Sequence, residues 1–600
     1  MANARHHEMP FGTRITPEGV RFRLWAPGCE RVMLHIEEGA AVGRMMMPSG
    51  DGWFELLVDG AGAGTPYRFE VNDGLRVPDP ASRFNPDDVH GASVVVDPTA
   101  FAWRDTAWKG RPWEEAVVYE LHVGTFSPSG TFAGVIERLD YLVDLGVTAI
   151  ELMPVADFPG VHNWGYDGVL LFAPDSRYGT PDDLKALVQS AHDKGLMVLL
   201  DVVYNHFGPE GNYLHVYARK FFSERHHTLW GAAINFDGSG SRTVRDFFIH
   251  NALYWLQEYH FDGLRLDAVH AIIDDSARHI LTELAERVHA EIGSERAVHL
   301  ILENDANEAH HLGQGGYTAQ WNDDIHHALH VLATGEADGY YGDYADAPLV
   351  HLGRCLTEGF AYQGQASAYH EGESRGEPSG HLPLQAFVAF VQNHDQVGNR
   401  AFGERLTQLA PESALRAVAA VLLLAPSVPM LFMGEEFGAR TPFQFFCDFG
   451  GELRDAVTQG RRREFRKFAR FADPAAQAAI PDPNRPETFL ASRLDWSEAG
   501  AGALDQYRGL LKLRRETIVP RLRLIEPGSA AFEVVAGVLR VRWGLHDGAS
   551  LQLTAHLSQE PLGEVALEGE VIFATSDAAA AGVLGPWSVV WTLAAAETQA

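Results

Sequence analysis

Phe261-Asp-Gly-Leu-Arg-Leu-Asp-Ala-Val-His270 leaves a glycine turn as an alternation of apolar and charged residues and ends at an aspartate. This is the pattern of a buried parallel strand whose C-terminal tip presents a carboxylate to solvent. Side chains on a strand repeat every second position, so Arg265 shares a side with Asp267. A cation held there keeps the carboxylate ionised, as a nucleophile must be. Taken alone, the stretch reads equally as a structural Arg–Asp pair at a strand end. The decision rests on whether other strands end in carboxylates in the same way.

Upstream, Val117-Val-Tyr-Glu-Leu-His122 is a strand, Ala133 to Leu145 an amphipathic helix closed by Gly146, and Val147 to Val155 a second strand. Thr180-Pro-Asp-Asp183 caps a helix that runs to Lys194-Gly195. Leu196 to Val203, nearly all apolar, is a third strand of the kind buried on both faces. A short insertion, residues 207–242, precedes the helix Thr243 to Tyr259. Downstream come the helix Ala277 to Ile292, the strand Val298 to Leu302, and a strand near Tyr317 to Trp321 followed by a helix. The strand Phe387 to Gln392, the helix Ser413 to Leu424 and the strand Val428 to Met433 complete the series. Alternating strands and helices build a parallel sheet. Eight strands over roughly 320 residues match an α/β chain folded as a (β/α)8 TIM barrel with insertions. A doubly wound sheet is the alternative, but no Gly-rich phosphate turn follows the first strand.

The flanks have another rhythm. Gly19 to Trp25, Arg31 to Ile36 and Pro66 to Val71 alternate as short strands between Gly, Pro and Asp turns, which predicts an N-terminal β-sandwich. Val538 to Trp543, Ser550 to Leu557, Glu564 to Phe573 and Trp587 to Leu593 predict a C-terminal β-sandwich. The expected domains are 1–105, 106–500 and 501–600. The basic run Gly460 to Arg470 reads as a solvated or salt-bridged helix face in preference to an anion site.

The chain has 600 residues, too many for one core. Its 80 Asp and Glu against 48 Lys and Arg leave a formal net charge of −32, which argues against nucleic acid or an anionic membrane as partner. Cys29, Cys355 and Cys447 form neither a disulfide framework nor a metal spacing, so a reducing, cytoplasmic location is expected. Met1 to Pro10 has no apolar core and is no signal peptide. The longest uncharged run, Ala417 to Gly434, is divided by Pro426 and Pro429 into a helix end and a strand. The sequence is compatible with a monomer or a homodimer.

Four predicted barrel strands end in related polar residues. The third ends Asp201-Val-Val-Tyr-Asn-His206, the fourth at Asp267, the fifth Leu302-Glu303-Asn304, and the seventh Val391-Gln-Asn-His-Asp395. Chemistry in such a barrel collects at this C-terminal face. Two carboxylates facing one bond are the equipment of glycoside hydrolysis: one attacks the anomeric carbon while the other protonates the leaving oxygen. The apolar approach Leu300-Ile-Leu302 raises the pKa expected of Glu303, and Arg265 lowers that of Asp267. Asp395, with His206 and His394, is placed to grip sugar hydroxyls. The assignment predicts a retaining outcome, with the Asp267 and Glu303 carboxyls about 5–5.5 Å apart.

These four segments resemble, in order, the signature regions of the alpha-amylase family of glycoside hydrolases. The resemblance covers about 115–440 as the catalytic core, and the N-terminal sandwich is similar to an early-set, carbohydrate-binding-module-like domain. It implies Asp267 as nucleophile, Glu303 as proton donor and Asp395 as transition-state stabiliser. It further implies His206, Arg265 and His394 as sugar ligands and Tyr166, within Asn163-Trp-Gly-Tyr-Asp167, as an aromatic platform. His270, Gln396, Asn399 and Arg400 extend two signature regions toward the cleft. Trp230 to Asp237, Gln320 to His327, Glu358 to Gly364, Asn393 to Arg400, Gly434 to Phe437 and Gly460 to Phe465 are similar to stretches of the family's trehalose-releasing hydrolases. The implied substrate is maltooligosyltrehalose or a related α-glucan. Asp323, Asp324 and His327 follow the sixth strand and either contact the leaving sugar or form an ordinary helix N-terminus.

No His-Glu-x-x-His or Cys/His ligand spacing occurs among the 28 histidines, so no cofactor and no catalytic metal is expected. The insertion after the third strand is too short for the structural calcium that some relatives hold. Two other readings stand beside hydrolysis: a glucan branching enzyme passing the same covalent intermediate to a sugar hydroxyl, and a non-catalytic carbohydrate-binding scaffold.

Overall fold

The computed structural model describes residues 6–37, 43–72, 74–471 and 473–596. At its centre eight parallel strands close a barrel. They are β1 Val118–Leu121, β2 Ala149–Leu152, β3 Met197–Val202, β4 Gly263–Leu266, β5 His299–Leu302, β6 Ala319–Trp321, β7 Phe387–Phe390 and β8 Val428–Phe432. Each pairs with the next, and β8 returns to β1. Every residue of the eight strands is buried, because helices cover the outer face and side chains fill the lumen.

The lumen is layered. Val118, Ala149, Leu199, Ile301, Ala319, Val388 and Val428 belong to one apolar cluster inside the barrel. Two residues further along their strands, the period-two alternation puts Glu120, Glu151, Asp201 and Glu303 on the same inward side. Arg265 joins them from β4. In the sheet register Glu120 lies beside Glu151, and Asp201 beside Arg265. A charged layer therefore caps an apolar one toward the C-terminal face.

The N-terminal sandwich stacks a sheet ordered Gly12–Thr16, Gly19–Trp25, Trp53–Val58, Met47–Gly50 on a second built around Val32–Ile36 and Pro66–Val71. Arg83, buried, docks it on the barrel through a bidentate pair with Glu258 at 3.1 and 3.2 Å.

The terminal sheet runs Ala531–Val535, Val538–Gly544, Ser550–His556, Ser588–Ala594, Glu570–Ala574. Stacked Trp543 and Trp591 fasten it, donating from Nε1 to Leu356 O at 2.9 Å and Ala420 O at 3.1 Å on barrel helices. Two expectations change here. The strand expected over Glu564 to Phe573 is cut in two. Gly569 turns the chain at φ +85°, and a Cβ there would lie 2.4 Å from Leu593 O. The helix Ala501–Leu513, ahead of the terminal strands, packs on the barrel helix Glu412–Leu424. Beyond it, buried Arg514 donates to Leu423 O, Ala425 O and Ser427 O. The expected helix Ala133 to Leu145 is also broken, into Phe132–Ile136 and Leu139–Leu145, with Arg138 between them laid over the Trp496 ring.

Candidate active site

Arg265 organises the site. Fully buried and packed 4.0 Å from the Trp321 ring centroid, it donates from Nη1 to Asp267 Oδ1 and to Asp201 Oδ2, both at 2.8 Å. Its Nη2 lies 3.8 Å from Glu303 Oε2. One guanidinium thus faces three carboxyls brought together from β3, β4 and β5. Asn205 donates through Nδ2 to Asp267 Oδ2 at 2.9 Å, so both carboxylate oxygens of Asp267 accept hydrogen bonds. Ala268 follows in the left-handed region at φ 41°, a costly conformation for alanine. That turn aims its N–H at Glu303 Oε2, 2.5 Å away. The backbone strain is spent on fixing the acid relative to the nucleophile candidate.

Burial separates the protonation behaviour of these groups. Desolvation, reinforced by Asp267 and opposed by Arg265, raises the pKa of Glu303. The same cause lifts Asp201 to about 7 and Asp323 well above the carboxylate range. Glu151, beside Glu120 and Asp201, is pushed well above its ordinary value by burial and by those like charges. A buried carboxyl that keeps its proton near neutrality is what a general acid requires.

Asp395 lies in the first turn of the short helix His394–Gly398, and Asn399 Nδ2 reaches Asp395 Oδ1 at 3.2 Å. His394 Nε2 lies 3.4 Å from Asp395 Oδ1 and 2.8 Å from the Tyr166 hydroxyl. Tyr166 stacks on His394 and donates to Asp201 Oδ2 at 2.5 Å. His206 binds Asn205 Oδ1 through Nδ1 and Tyr166 O through Nε2, and lies flat under Trp230, with centroids 4.9 Å apart. His270, exposed, accepts the Asp305 N–H at 3.3 Å and so links the loops after β4 and β5. Gln396 donates to Asp323 Oδ1 at 3.1 Å and accepts from Tyr340.

Other expected residues have different work. Asp324, fully buried, accepts from Tyr344 and Arg375 on Oδ1 and from Asn307 and the N–H groups of Ala361 and Tyr362 on Oδ2. No capacity is left for a sugar, so Asp324 is corrected to a structural clamp on the segment after β6. His327 is buried between the rings of Tyr340 and Tyr344, held neutral by desolvation, and its Nδ1 has no partner. Arg400 is engaged by Glu336 at 2.8 and 2.9 Å. With Asn399, Tyr340, Tyr369 and Phe468 it lines a cavity of about 260 Å³.

Sequence reasoning missed Glu120, Glu151, Asn205 and Trp230 as parts of the site. A charged residue inside an otherwise apolar strand was the available signal for the first two. Trp230 is half exposed at the tip of the hairpin Phe222–Thr228/Gly231–Ile234. His226 and Arg225 tie that hairpin to Asp237, whose Oδ2 also accepts the Asp275 N–H. His226, Asp237 and Asp275 are the one metal-type group among the described residues. The Arg225 guanidinium, 2.6 Å from Asp237, already supplies a cation there.

The chain matches the family model for the alpha amylase catalytic domain over residues 81–249 and a domain of unknown function, DUF3459, over 527–591. It is 43% identical to the malto-oligosyltrehalose trehalohydrolase of Saccharolobus solfataricus, covering 85% of this chain and 87% of that one. It is 44% identical to the enzyme of that name from Deinococcus radiodurans, over 83% and 81%. Its likeness to a 1,4-alpha-glucan branching enzyme of Pseudoalteromonas atlantica, 34% identical, covers 44% of this chain and 40% of that one. A crystal structure of a presumed alpha amylase from Salmonella typhimurium superposes with a TM-score of 0.91 at 47% identity, over 98% of this chain and all of that one. A pullulanase of Paenibacillus barengoltzii, at 21% identity and TM-score 0.73 over 99% and 96%, shares the fold.

Proposed function

The chain belongs to the malto-oligosyltrehalose trehalohydrolases of the alpha-amylase family, and from that premise we propose how its cleft works. The substrate is a maltooligosyltrehalose, cut at the α-1,4 bond beside its terminal trehalose. Asp267 attacks the anomeric carbon while Glu303 delivers its proton to the departing trehalose oxygen. The glycosyl–Asp267 ester is then hydrolysed by water that Glu303, now ionised, deprotonates. Asp395 and His394 hold ring hydroxyls as positive charge develops, and the rings of Tyr166 and Trp230 flank the sugar. The configuration at the anomeric carbon is retained, and the enzyme works in the cytoplasm.

The observation that carries this reading is the shared Arg265. It ion-pairs directly with Asp267 at 2.8 Å, whereas Glu303 sits 3.8 Å from it and is raised by burial. Two carboxyls at one guanidinium are thereby set apart, Asp267 by a direct ion pair suited to attack and Glu303 by burial that favours its protonated form, suited to donation.

Incubation of the purified chain with maltooligosyltrehalose, followed by chromatography, should release free trehalose. Branched glucan formed from amylose without trehalose release would replace the reading by a branching activity. Proton NMR of the first-formed maltooligosaccharide should show the α-anomer; an initial β-anomer would mean inversion.

A further inference from the structure

Resting on the hydrolase reading above, we propose that Glu120 is a positioning residue for the reaction, clamping His394 so that its outward nitrogen is a fixed proton donor beside Asp395.

Glu120 sits on β1, two residues above apolar Val118 in the lumen, and only 1% of it is exposed. Both its oxygens are spent on a single residue. Oε1 binds His394 Nδ1 at 2.5 Å, and Oε2 accepts the His394 backbone N–H at 2.9 Å. A carboxylate on Nδ1 fixes that nitrogen as protonated and fixes the ring plane, as carboxylate partners of histidine do elsewhere. The remaining nitrogen, Nε2, meets the Tyr166 hydroxyl at 2.8 Å and Asp395 Oδ1 at 3.4 Å. Tyr166 donates its one proton to Asp201 Oδ2, so its oxygen is left to accept from His394. Both ring nitrogens then carry protons, and the imidazole is cationic.

The charges facing His394 agree with that state. From β1 comes Glu120, from the helix after β7 Asp395, from β3 Asp201 and from β4 Arg265. Glu151 on β2 is held neutral by burial and by its neighbours Glu120 and Asp201. His122 after β1 is pushed down to about 3 by burial and stays neutral. The rings of Trp164 and Trp321 close the remaining sides. Burial opposes a charge on His394, but Asp395 and Glu120 outweigh it and bring its pKa to about 9. A cation pinned between Asp395 and the lumen offsets the surplus of carboxylates around the sugar. Its Nε2 proton, directed at the Tyr166 hydroxyl and Asp395, fixes the positions of both side chains.

Glu120→Gln keeps the shape and removes the charge. Its kcat/KM for maltooligosyltrehalose at pH 8 should fall about tenfold or more, with the alkaline limb moved to lower pH by about one unit. Loss of a negative charge would also disturb Glu303 through space, so the decisive comparison is made in the His394→Asn background. If Glu120 acts through His394, adding E120Q to H394N changes residual kcat/KM and its pH limb less than about twofold. A full-sized effect of E120Q in that background, or an unmoved limb in the single variant, overturns the proposal. If E120Q does not unfold cooperatively like the parent, Glu120→Asp, which withdraws the charge by one methylene, serves the same cycle. A wild-type chain that releases no trehalose undoes the functional reading; trehalose release with E120Q indistinguishable from wild type undoes only this inference.

Discussion

Two buried charge networks sit at opposite ends of the barrel, and they are built from nearly the same residue types. At the N-terminal end Asp105, from the connection into the barrel, accepts from His192 Nδ1 at 3.0 Å and His260 Nδ1 at 2.8 Å. Asp262, just before β4, accepts from His192 Nε2, Val198 N and Trp108 Nε1 at 2.7–2.9 Å, with Arg296 Nη1 at 3.3 Å. Despite burial, Asp105 and Asp262 stay below the usual carboxylate range and His192 is raised above its own, because each charge faces its opposite. At the C-terminal end Glu120, Asp201, Asp267, Glu303 and Asp395 share two cations, Arg265 and His394, with Asp323 adding its carboxyl beside Glu303 and Asp395. Carboxyls are in excess there, so desolvation wins and several rise. The balanced network fastens the connection to the barrel. The unbalanced one stores protons where chemistry needs them.

The difference can be broken from either side. Asp267→Asn and Glu303→Gln should each lower kcat by about a thousandfold or more, while the cooperative unfolding transition persists; near-normal turnover in either would remove it from the mechanism. Arg265→Lys keeps one charge but loses the fork that reaches three carboxyls. It should lower kcat by about a hundredfold and lower the unfolding temperature as well, read by steady-state kinetics and calorimetry.

Asp262→Ala, at the other end, should cost about 3–5 kcal/mol in denaturant unfolding, because it removes the carboxylate beside buried Arg296 and one of the two that face His192. The kcat of the surviving folded enzyme should stay within about twofold of wild type. A large drop in kcat without loss of stability would mean that the two ends are coupled.

The smallest effects are in pH, and the carboxyls of the two ends carry opposite signs. His192 is raised, so its contribution is complete below its unfolded value of about 6.5 and is lost as pH rises through the raised one. Asp105 and Asp262 are lowered, so theirs is present above about 3.9 and lost only in stronger acid. Glu303 is raised, so the folded state loses stability as pH climbs from about 4.3 through its folded pKa. Unfolding temperatures of wild type and Glu303→Gln, measured from pH 4 to 9, should therefore draw apart toward alkaline pH with the variant the more stable. Parallel curves would show that Glu303 carries no such strain.

Much of this was legible in the chain. An apolar run that ends in a carboxylate marks a strand tip, and the repetition of that pattern at Asp267, Glu303 and Asp395 in a βα rhythm pointed to both the barrel and its working face. Periodicity of two alone makes Arg265 and Asp267 neighbours on one side of the strand. These are local properties, set by alternation and turn chemistry within a few residues.

Tertiary structure decided the rest, because the deciding contacts are remote in sequence. Glu120 and His394 are 274 residues apart, and only barrel closure between β8 and β1 brings them to 2.5 Å. Asp323 and Asp324 are adjacent, yet the roughly 100° between successive helix positions sends the first toward Glu303 and Asp395 and the second into a ring of five donors. Arg514, just past the helix Ala501–Leu513, satisfies three carbonyls of a barrel segment some ninety residues earlier. Sequence by itself determined which residues end the strands. Which of them keep a proton depended on burial and on the count of opposite charges nearby, quantities that exist only once the chain has closed on itself.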